Sequence, residues 1–208
     1  MSKILDILRE TKAIITNSHF VYTSGKHGSI YINKDIVYTH PEKASEVGLL
    51  FAEKTKNLEI DIVAAPALGG IILSQWTAYH LTKLKKKEIL GIYTEKTPNN
   101  DQVFKRGYDK IIRGKNVLVV EDLTTTGDSV KKVIDSVKKA RGNVAAVAVM
   151  IDRSSNGITQ GTVGETFFAL DKLPSQAFDP KDCPLCKKNI AINTSIGHGK
   201  KFLSSPGS

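Results

Sequence analysis

Cysteine is nearly absent from this chain: its 208 residues include two, Cys183 and Cys186. Two thiols three positions apart exclude the disulfide framework that stabilises small secreted folds. Long apolar runs are missing too. The most hydrophobic stretch, residues 60–73, is broken by Asp61, Pro66, Gly69 and Gly70, so no segment is expected to span a bilayer. Residues 1–10 spread charge through an amphipathic helical pattern and lack the unbroken apolar centre of a signal peptide. No internal repeat occurs, and proline and serine gather only at the extreme C-terminus. The expectation is a cytoplasmic protein with one sizeable core, divided into a main domain over residues 1–178 and a Cys-containing extension over 179–208.

Acidic residues are also in short supply. Thirty Lys and Arg stand against twenty-one Asp and Glu, a formal net charge of +9. Such an excess suits nucleic acid, an anionic membrane surface or a small polyanionic substrate. The densest basic run, Lys83-Leu84-Lys85-Lys86-Lys87, follows a helical stretch and reads as a solvated helix end beside its negative dipole pole. No recognition motif or aromatic-interleaved basic stripe accompanies it, so neither nucleic acid nor membrane is expected as a partner.

What the chain does have is an alternation of strand and helix. Phe20-Val21-Tyr22-Thr23 and Ser29-Ile30-Tyr31-Ile32 read as short β runs around the turn Ser24-Gly25-Lys26-His27-Gly28, a hairpin-like N-terminal hood. Pro41 opens a helix with apolar positions at Ala44, Val47, Leu50 and Phe51. Strands are expected at 62–65, 89–93, 117–120 and 144–151, with helices at 71–81 and 130–139. This pattern implies an α/β fold with a parallel sheet flanked by helices. Residues 94–114 break it: Pro98-Asn99-Asn100-Asp101 promises a turn, and Lys96, Lys105, Arg106, Lys110 and Arg113 load the segment with positive charge. A long cationic loop between core strands is expected to act as a lid.

Two strand-to-helix junctions carry the chemistry. In the first, Val117-Leu118-Val119-Val120 ends at Glu121-Asp122 and passes into Leu123-Thr124-Thr125-Thr126-Gly127-Asp128-Ser129. A helix start offers N–H groups and a positive dipole end, and the hydroxyls of Thr124, Thr125, Thr126 and Ser129 add donors, so the turn suits a phosphate monoester. The carboxylates accept hydrogen bonds and suit ribose hydroxyls instead. In the second, Ala65-Pro66-Ala67-Leu68-Gly69-Gly70-Ile71, paired glycines let a ligand approach the backbone closely, as a pyrophosphate requires.

The acidic strand end with Thr-Thr-Gly-x-Ser resembles the signature of the type I phosphoribosyltransferases. With Phe20-Val21…Ser24-Gly25, Tyr31-Ile32-Asn33, Pro66-Ala67…Gly70-Ile71 and Ile151-Asp152-Arg153 in that order, residues 17–157 resemble the orotate phosphoribosyltransferases. The resemblance implies transfer of the 5-phosphoribosyl group of PRPP to orotate, with Mg²⁺ as cofactor and a homodimer whose lid reaches the neighbouring site. It implies that Glu121 and Asp122 hold the ribose, residues 124–129 with Asp128 the 5'-phosphate, and Leu68, Gly69 and Gly70 the pyrophosphate. Lys96, Lys105 and Arg106 would then neutralise the leaving group, and Arg153 would grip the orotate carboxylate with its planar fork. Lys26 and Tyr31 of the hood complete the expected substrate-binding set. Thr23 and Leu68-Gly69 depart from the family pattern by omitting two cations, which Lys26, Lys34 or the lid is left to supply. Asp128 departs as well, and is expected to point away from the phosphate and cap the helix.

The tail around Cys183 resembles an extension found in one branch of the same family. Its Cys-x-x-Cys is half of a tetrahedral zinc site, with His198 or a second subunit's pair as candidates for the rest, beside the plainer reading of a reduced structural turn. The competing functions are phosphoribosyl transfer to another base and a PRPP-sensing regulator that binds nucleic acid.

Overall fold

A computed structural model describes residues 2–174 and 176–204. The proline- and serine-containing end, residues 205–208, lies outside the described residues. The chain opens with α1 (Lys3–Glu10) and four two-residue strands, β1 (Ile14–Ile15), β2 (Phe20–Val21), β3 (His27–Gly28) and β4 (Tyr31–Ile32). These build the hood, with one correction to the expected hairpin. β2 pairs with β3, not with residues 29–32, and β4 turns back to pair with β1. Tyr22 explains the early return: its hydroxyl donates to Ile30 O at 2.7 Å, and its ring fills the space where a Cβ on Gly28 would stand.

After α2 (Lys34–Tyr38) and α3 (Pro41–Thr55) come β5 (Ile62–Pro66), α4 (Gly69–Lys85), β6 (Leu90–Lys96), β7 (Gln102–Val103), α5 (Tyr108–Ile112), β8 (Asn116–Thr124), α6 (Asp128–Lys139) and β9 (Asn143–Asp152). Then follow α7 (Gln160–Val163), β10 (Phe167–Lys172), a 3-10 turn at Pro180–Asp182, α8 (Pro184–Lys187) and α9 (Gly199–Leu203). The central sheet has the order β10-β9-β8-β5-β6-β7. Its first five members run parallel, and β7 is antiparallel to β6.

β8 shows why the Val-rich runs form the middle of the sheet. Alternate side chains leave a strand on opposite faces. Leu118 and Val120 pack with Val47, Phe51 and Leu73 from α3 and α4, while Val117 and Val119 pack with Val130, Val133 and Val137 of α6. Each such fully buried side chain contributes about 1.5–3 kcal/mol relative to exposure. Among the described residues no helix is long and apolar enough to cross a membrane.

Three expected boundaries move. β8 does not stop at the acids: Leu123 and Thr124 still pair with Ile151 and Asp152, so Glu121 and Asp122 lie inside the strand and are buried. α4 begins at Gly69, two residues before the expected start. Residues 94–114 form no open loop: β6 continues to Lys96, β7 returns beside it, and α5 follows. Gln102 anchors this hairpin, its side chain accepting from Thr94 Oγ1 at 2.8 Å and its carbonyl accepting from Ser136 of α6.

Candidate active site

Asp122 is the hub. Its Oδ2 lies 2.7 Å from Lys34 Nζ and accepts from the Tyr38 hydroxyl at 3.2 Å, while Oδ1 accepts from Leu123 N at 2.7 Å. Lys34 and Tyr38 are four residues apart on α2, hence on one helical face, and both reach the carboxylate from the hood side. Burial alone would lower the Lys34 pKa, but the Asp122 carboxylate outweighs it and the net shift is upward. Burial, reinforced by Asp122, drives the Tyr38 hydroxyl far above its ordinary range, so it remains a donor. Tyr38 was not foreseen from the sequence. Its only signal was the i, i+4 spacing from Lys34.

Glu121 is 7% exposed, and its Oε1 accepts from Asp122 N at 3.0 Å. Burial and then the adjacent Asp122 charge raise its pKa well above the usual carboxyl value. Two side-by-side carboxylates with one cation near them are a site built to receive hydroxyl donors or a further cation.

The second junction packs directly on this hub. A Cβ on Gly69 would lie 2.7 Å from Asp122 Oδ2 and 3.0 Å from Lys34 Nζ, and one on Gly70 would lie 2.7 Å from the Ala65 Cβ. Both positions must therefore lack a side chain. The Ala67–Leu68 peptide is cis, and Leu68 is 83% exposed. At the third side, Thr124 Oγ1 accepts from Gly127 N at 3.1 Å, and Gly127 takes φ 83° to lead into α6. Thr125, Thr126, Asp128 and Ser129 are exposed around that helix start. Asp128 stands in the first turn of α6, and no side-chain cap bond forms there, so the expected capping role is not realised.

Arg153 lies across from this turn, its N–H donating to Thr124 O at 2.8 Å. The guanidinium sits over the Tyr22 ring, 5.0 Å from its centroid. Its Nε and Nη2 are buried and have no hydrogen-bond partner among the described residues. Asp152 turns the other way, accepting from Ser154 N at 2.9 Å and Ile158 N at 2.9 Å to fix the following loop.

The remaining expected residues scatter. Lys105 and Arg106 both hold Glu95, at 3.2 and 3.0 Å, and Lys105 leads in keeping that carboxyl below its usual range. Lys96 is exposed near the end of the β6–β7 hairpin, and Lys26 is exposed on the hood turn. Tyr31 packs on Phe20, ring centroids 5.4 Å apart. Cys183 and Cys186 do not meet His198: buried Cys183 and half-buried Cys186 face His19 and His27, while His198 Nε2 lies 3.0 Å from Thr23 Oγ1.

Comparison with known proteins identifies the family and the fold. The phosphoribosyl transferase domain family matches residues 33–160. An orotate phosphoribosyltransferase of Thermotoga maritima is 36% identical over 198 residues, covering 95% of this chain and 100% of the relative. One from Caldanaerobacter subterraneus subsp. tengcongensis is 34% identical, covering 91% and 94%. Among solved structures, the Mycobacterium tuberculosis H37Rv orotate phosphoribosyltransferase in complex with Fe(III) dicitrate matches with a TM-score of 0.66 at 20% identity, covering 83% of this chain and 95% of that one, which supports the fold.

Proposed function

Because the chain belongs to the orotate phosphoribosyltransferases, within the wider phosphoribosyl transferase domain family, we infer that it joins orotate to the 5-phosphoribosyl group of PRPP. The products are orotidine 5'-monophosphate and pyrophosphate, a step of pyrimidine synthesis, and the enzyme is a pentosyltransferase. The observation that carries the site assignment is the close approach of Gly69 to Asp122. It places the glycine turn against the acid pair, and Thr124, two residues on, bonds Gly127 at the start of α6, so the three segments adjoin.

Across these segments the sugar C1–O bond to the diphosphate breaks as a bond to the orotate ring nitrogen forms. The reaction passes through a cation-like sugar, so holding the reactants in line and stabilising the departing charge do most of the work. We assign the 5'-phosphate to residues 124–129 and the ribose hydroxyls to Glu121 and Asp122. Asp122 already accepts three hydrogen bonds of the roughly four a carboxylate can take, which leaves Glu121 the larger share. Gly69, Gly70 and exposed Leu68 receive the diphosphate, with Lys34 as the nearby cation that the family's missing lysines leave to this chain. Arg153 receives the orotate carboxylate, and Tyr22 backs it. No general base is assigned, since the ring is anionic or nearly so when it attacks.

The donors fit a magnesium ion carried in with the diphosphate, because Glu121 and Asp122 are hard oxygen groups beside the Gly69 turn. When bound, such an ion neutralises charge on the leaving pyrophosphate. Lys105 and Arg106 reach the diphosphate by exchanging Glu95 for it, a small loss for exposed pairs. Exposed Tyr79 and Leu84 on α4 favour a homodimer, and the β6–β7 hairpin would then cover the neighbouring site.

A pyrophosphate-release assay with PRPP and each of orotate, uracil, hypoxanthine and adenine tests the reading. Release with orotate in strong preference is expected. Equal use of a purine would overturn the base assignment, and no release with any base would overturn catalysis in favour of PRPP sensing.

A further inference from the structure

We propose that His19, His27, Cys183 and Cys186 form a closed structural zinc site that locks the C-terminal extension onto the hood. One ligand atom from each of the four lies within 4.8 Å of the others. Cys183 Sγ and Cys186 Sγ are each 3.7 Å from His19 Nε2, and Cys186 Sγ is 3.3 Å from His27 Nδ1. A tetrahedron with Zn–S of about 2.3 Å and Zn–N of about 2.0–2.1 Å has S···N edges of about 3.6 Å and an N···N edge of about 3.4 Å. Three of the four sulfur–nitrogen edges, at 3.3 to 3.7 Å, bracket that value. For a zinc ion to sit at the centre, the 2.8 Å between His19 Nε2 and His27 Nδ1 opens by about half an ångström and the widest separation in the cluster, at most 4.8 Å, closes.

The protonation pattern points the same way. His19 Nδ1 lies 2.7 Å from Ile190 O, a carbonyl that can only accept, so the proton sits on Nδ1 and the Nε2 lone pair faces the cluster. Two sulfurs and two imidazole nitrogens then converge on one point, in surroundings where His19, His27 and Cys183 are buried. Two thiolates and two imidazoles in tetrahedral array select zinc over the oxygen-seeking cations. With four protein ligands no position is left for a substrate, so the site is structural.

Its place in the chain gives it a purpose. A two-stranded hairpin such as β2–β3 is marginal alone. The extension clasps it on both edges: Asn193 N donates to His19 O at 2.8 Å, His198 N to Val21 O at 2.9 Å, and His27 and Phe178 exchange backbone bonds at 2.8 and 2.9 Å. The zinc sits where hairpin and extension cross. Between its two histidines the hairpin carries Tyr22, the ring under Arg153. Metal binding thereby orders the wall of the pocket from a segment more than 150 residues away in sequence, Cys186 and His27 being 159 positions apart.

The full chain, produced without an affinity tag and purified without chelator, is the material for the test. Metal analysis is expected to give about one zinc per subunit. Replacing zinc with Co²⁺ should produce the strong visible absorption of tetrahedral cobalt and a sulfur-to-metal charge-transfer band. Removal of zinc by chelator should lower the melting temperature by several degrees, and added Zn²⁺ should restore it. Cys186→Ser should lose the metal while Cys186→His, which keeps a ligand, should retain part of it. Zinc below about a tenth of an atom per subunit, with no cobalt spectrum on adding Co²⁺ to reduced protein, would overturn the site. Iron in place of zinc would overturn the metal assignment, and zinc loss with an unchanged melting temperature would overturn the structural role.

Discussion

Arg153 lies over the ring of Tyr22, 5.0 Å from its centroid, and keeps two buried donor nitrogens that have no partner among the described residues. A guanidinium stacked on an aromatic face is held in plane, and its unpaired edge is then fixed in direction. Buried donors left unmade are costly, so two on one side chain at a strand end suit a ligand that accepts from both. A carboxylate matches that edge with two parallel bonds.

Orotate and uracil differ by that carboxylate. Losing a charge-assisted two-point contact costs roughly 2–3 kcal/mol, so orotate should be preferred by tens to a few hundred fold in kcat/KM. Arg153→Ala should remove most of the gap by slowing orotate and leaving uracil nearly unchanged. A variant that kept the full preference would assign the carboxylate to another group.

Glu121 gives a pH signature with a definite sign. Burial and the Asp122 charge raise its folded-state pKa above the ordinary 4.5. Below that value the group is protonated whether the chain is folded or not, so it has no effect on the pH dependence. As pH rises through it, the unfolded chain releases the proton that the folded chain keeps, and stability falls until the folded-state pKa is passed. Glu121→Gln carries no such charge. Its denaturation midpoint relative to the parent protein should therefore be lowest near pH 4.5 and climb towards neutrality, while turnover should drop if Glu121 accepts from the ribose as proposed. A relative midpoint that fell with rising pH would contradict the raised pKa.

How much of this was legible in the sequence depends on what each residue touches. β5, β8 and β9 were readable because a strand covered on both faces must be apolar throughout. β10 was not, because Phe167, Phe168, Ala169, Leu170 and Asp171 are all only half-buried at the sheet's edge and carry no clean alternation. The turn into α6 at residues 124–129 was readable as a contiguous motif. The Asp122–Lys34–Tyr38 cluster was not, since it joins residues 84 positions apart. The cysteines were visible but their histidines were not: an isolated His carries no spacing signal, and His198 looked eligible only by nearness in sequence.

The Lys34–Asp122 pair makes a stability claim of its own. Asp122→Asn keeps the volume but leaves a partly buried ammonium beside a neutral amide, a loss of about 1–3 kcal/mol. Lys34→Met together with Asp122→Asn removes both charges, and should recover part of that loss in denaturant unfolding, because a buried ion pair often exchanges for neutral packing at little cost. Neither variant should retain normal use of PRPP. Strictly additive effects of the two substitutions would show that the pair is not coupled.

The β6–β7 hairpin supplies the last expectation. Lys105 and Arg106 both rest on Glu95, which gives them a parked position away from the acid pair and a reason for the hairpin to stay ordered without substrate. If they leave Glu95 to meet the departing diphosphate, Lys105→Ala with Arg106→Ala should lower kcat while changing the orotate KM little, because the contact is made late in the reaction. Mixing distinguishes a hairpin that serves its own site from one that serves a neighbour's. A mixed dimer of this variant with Arg153→Ala holds one site with both an intact Arg153 and an intact hairpin only if the hairpin crosses over. Half of randomly exchanged dimers are mixed and each then has one working site of two, so activity should return to about a quarter of the parent level. Complete subunit exchange, verified by mass, without any such recovery would place the hairpin over its own subunit's site.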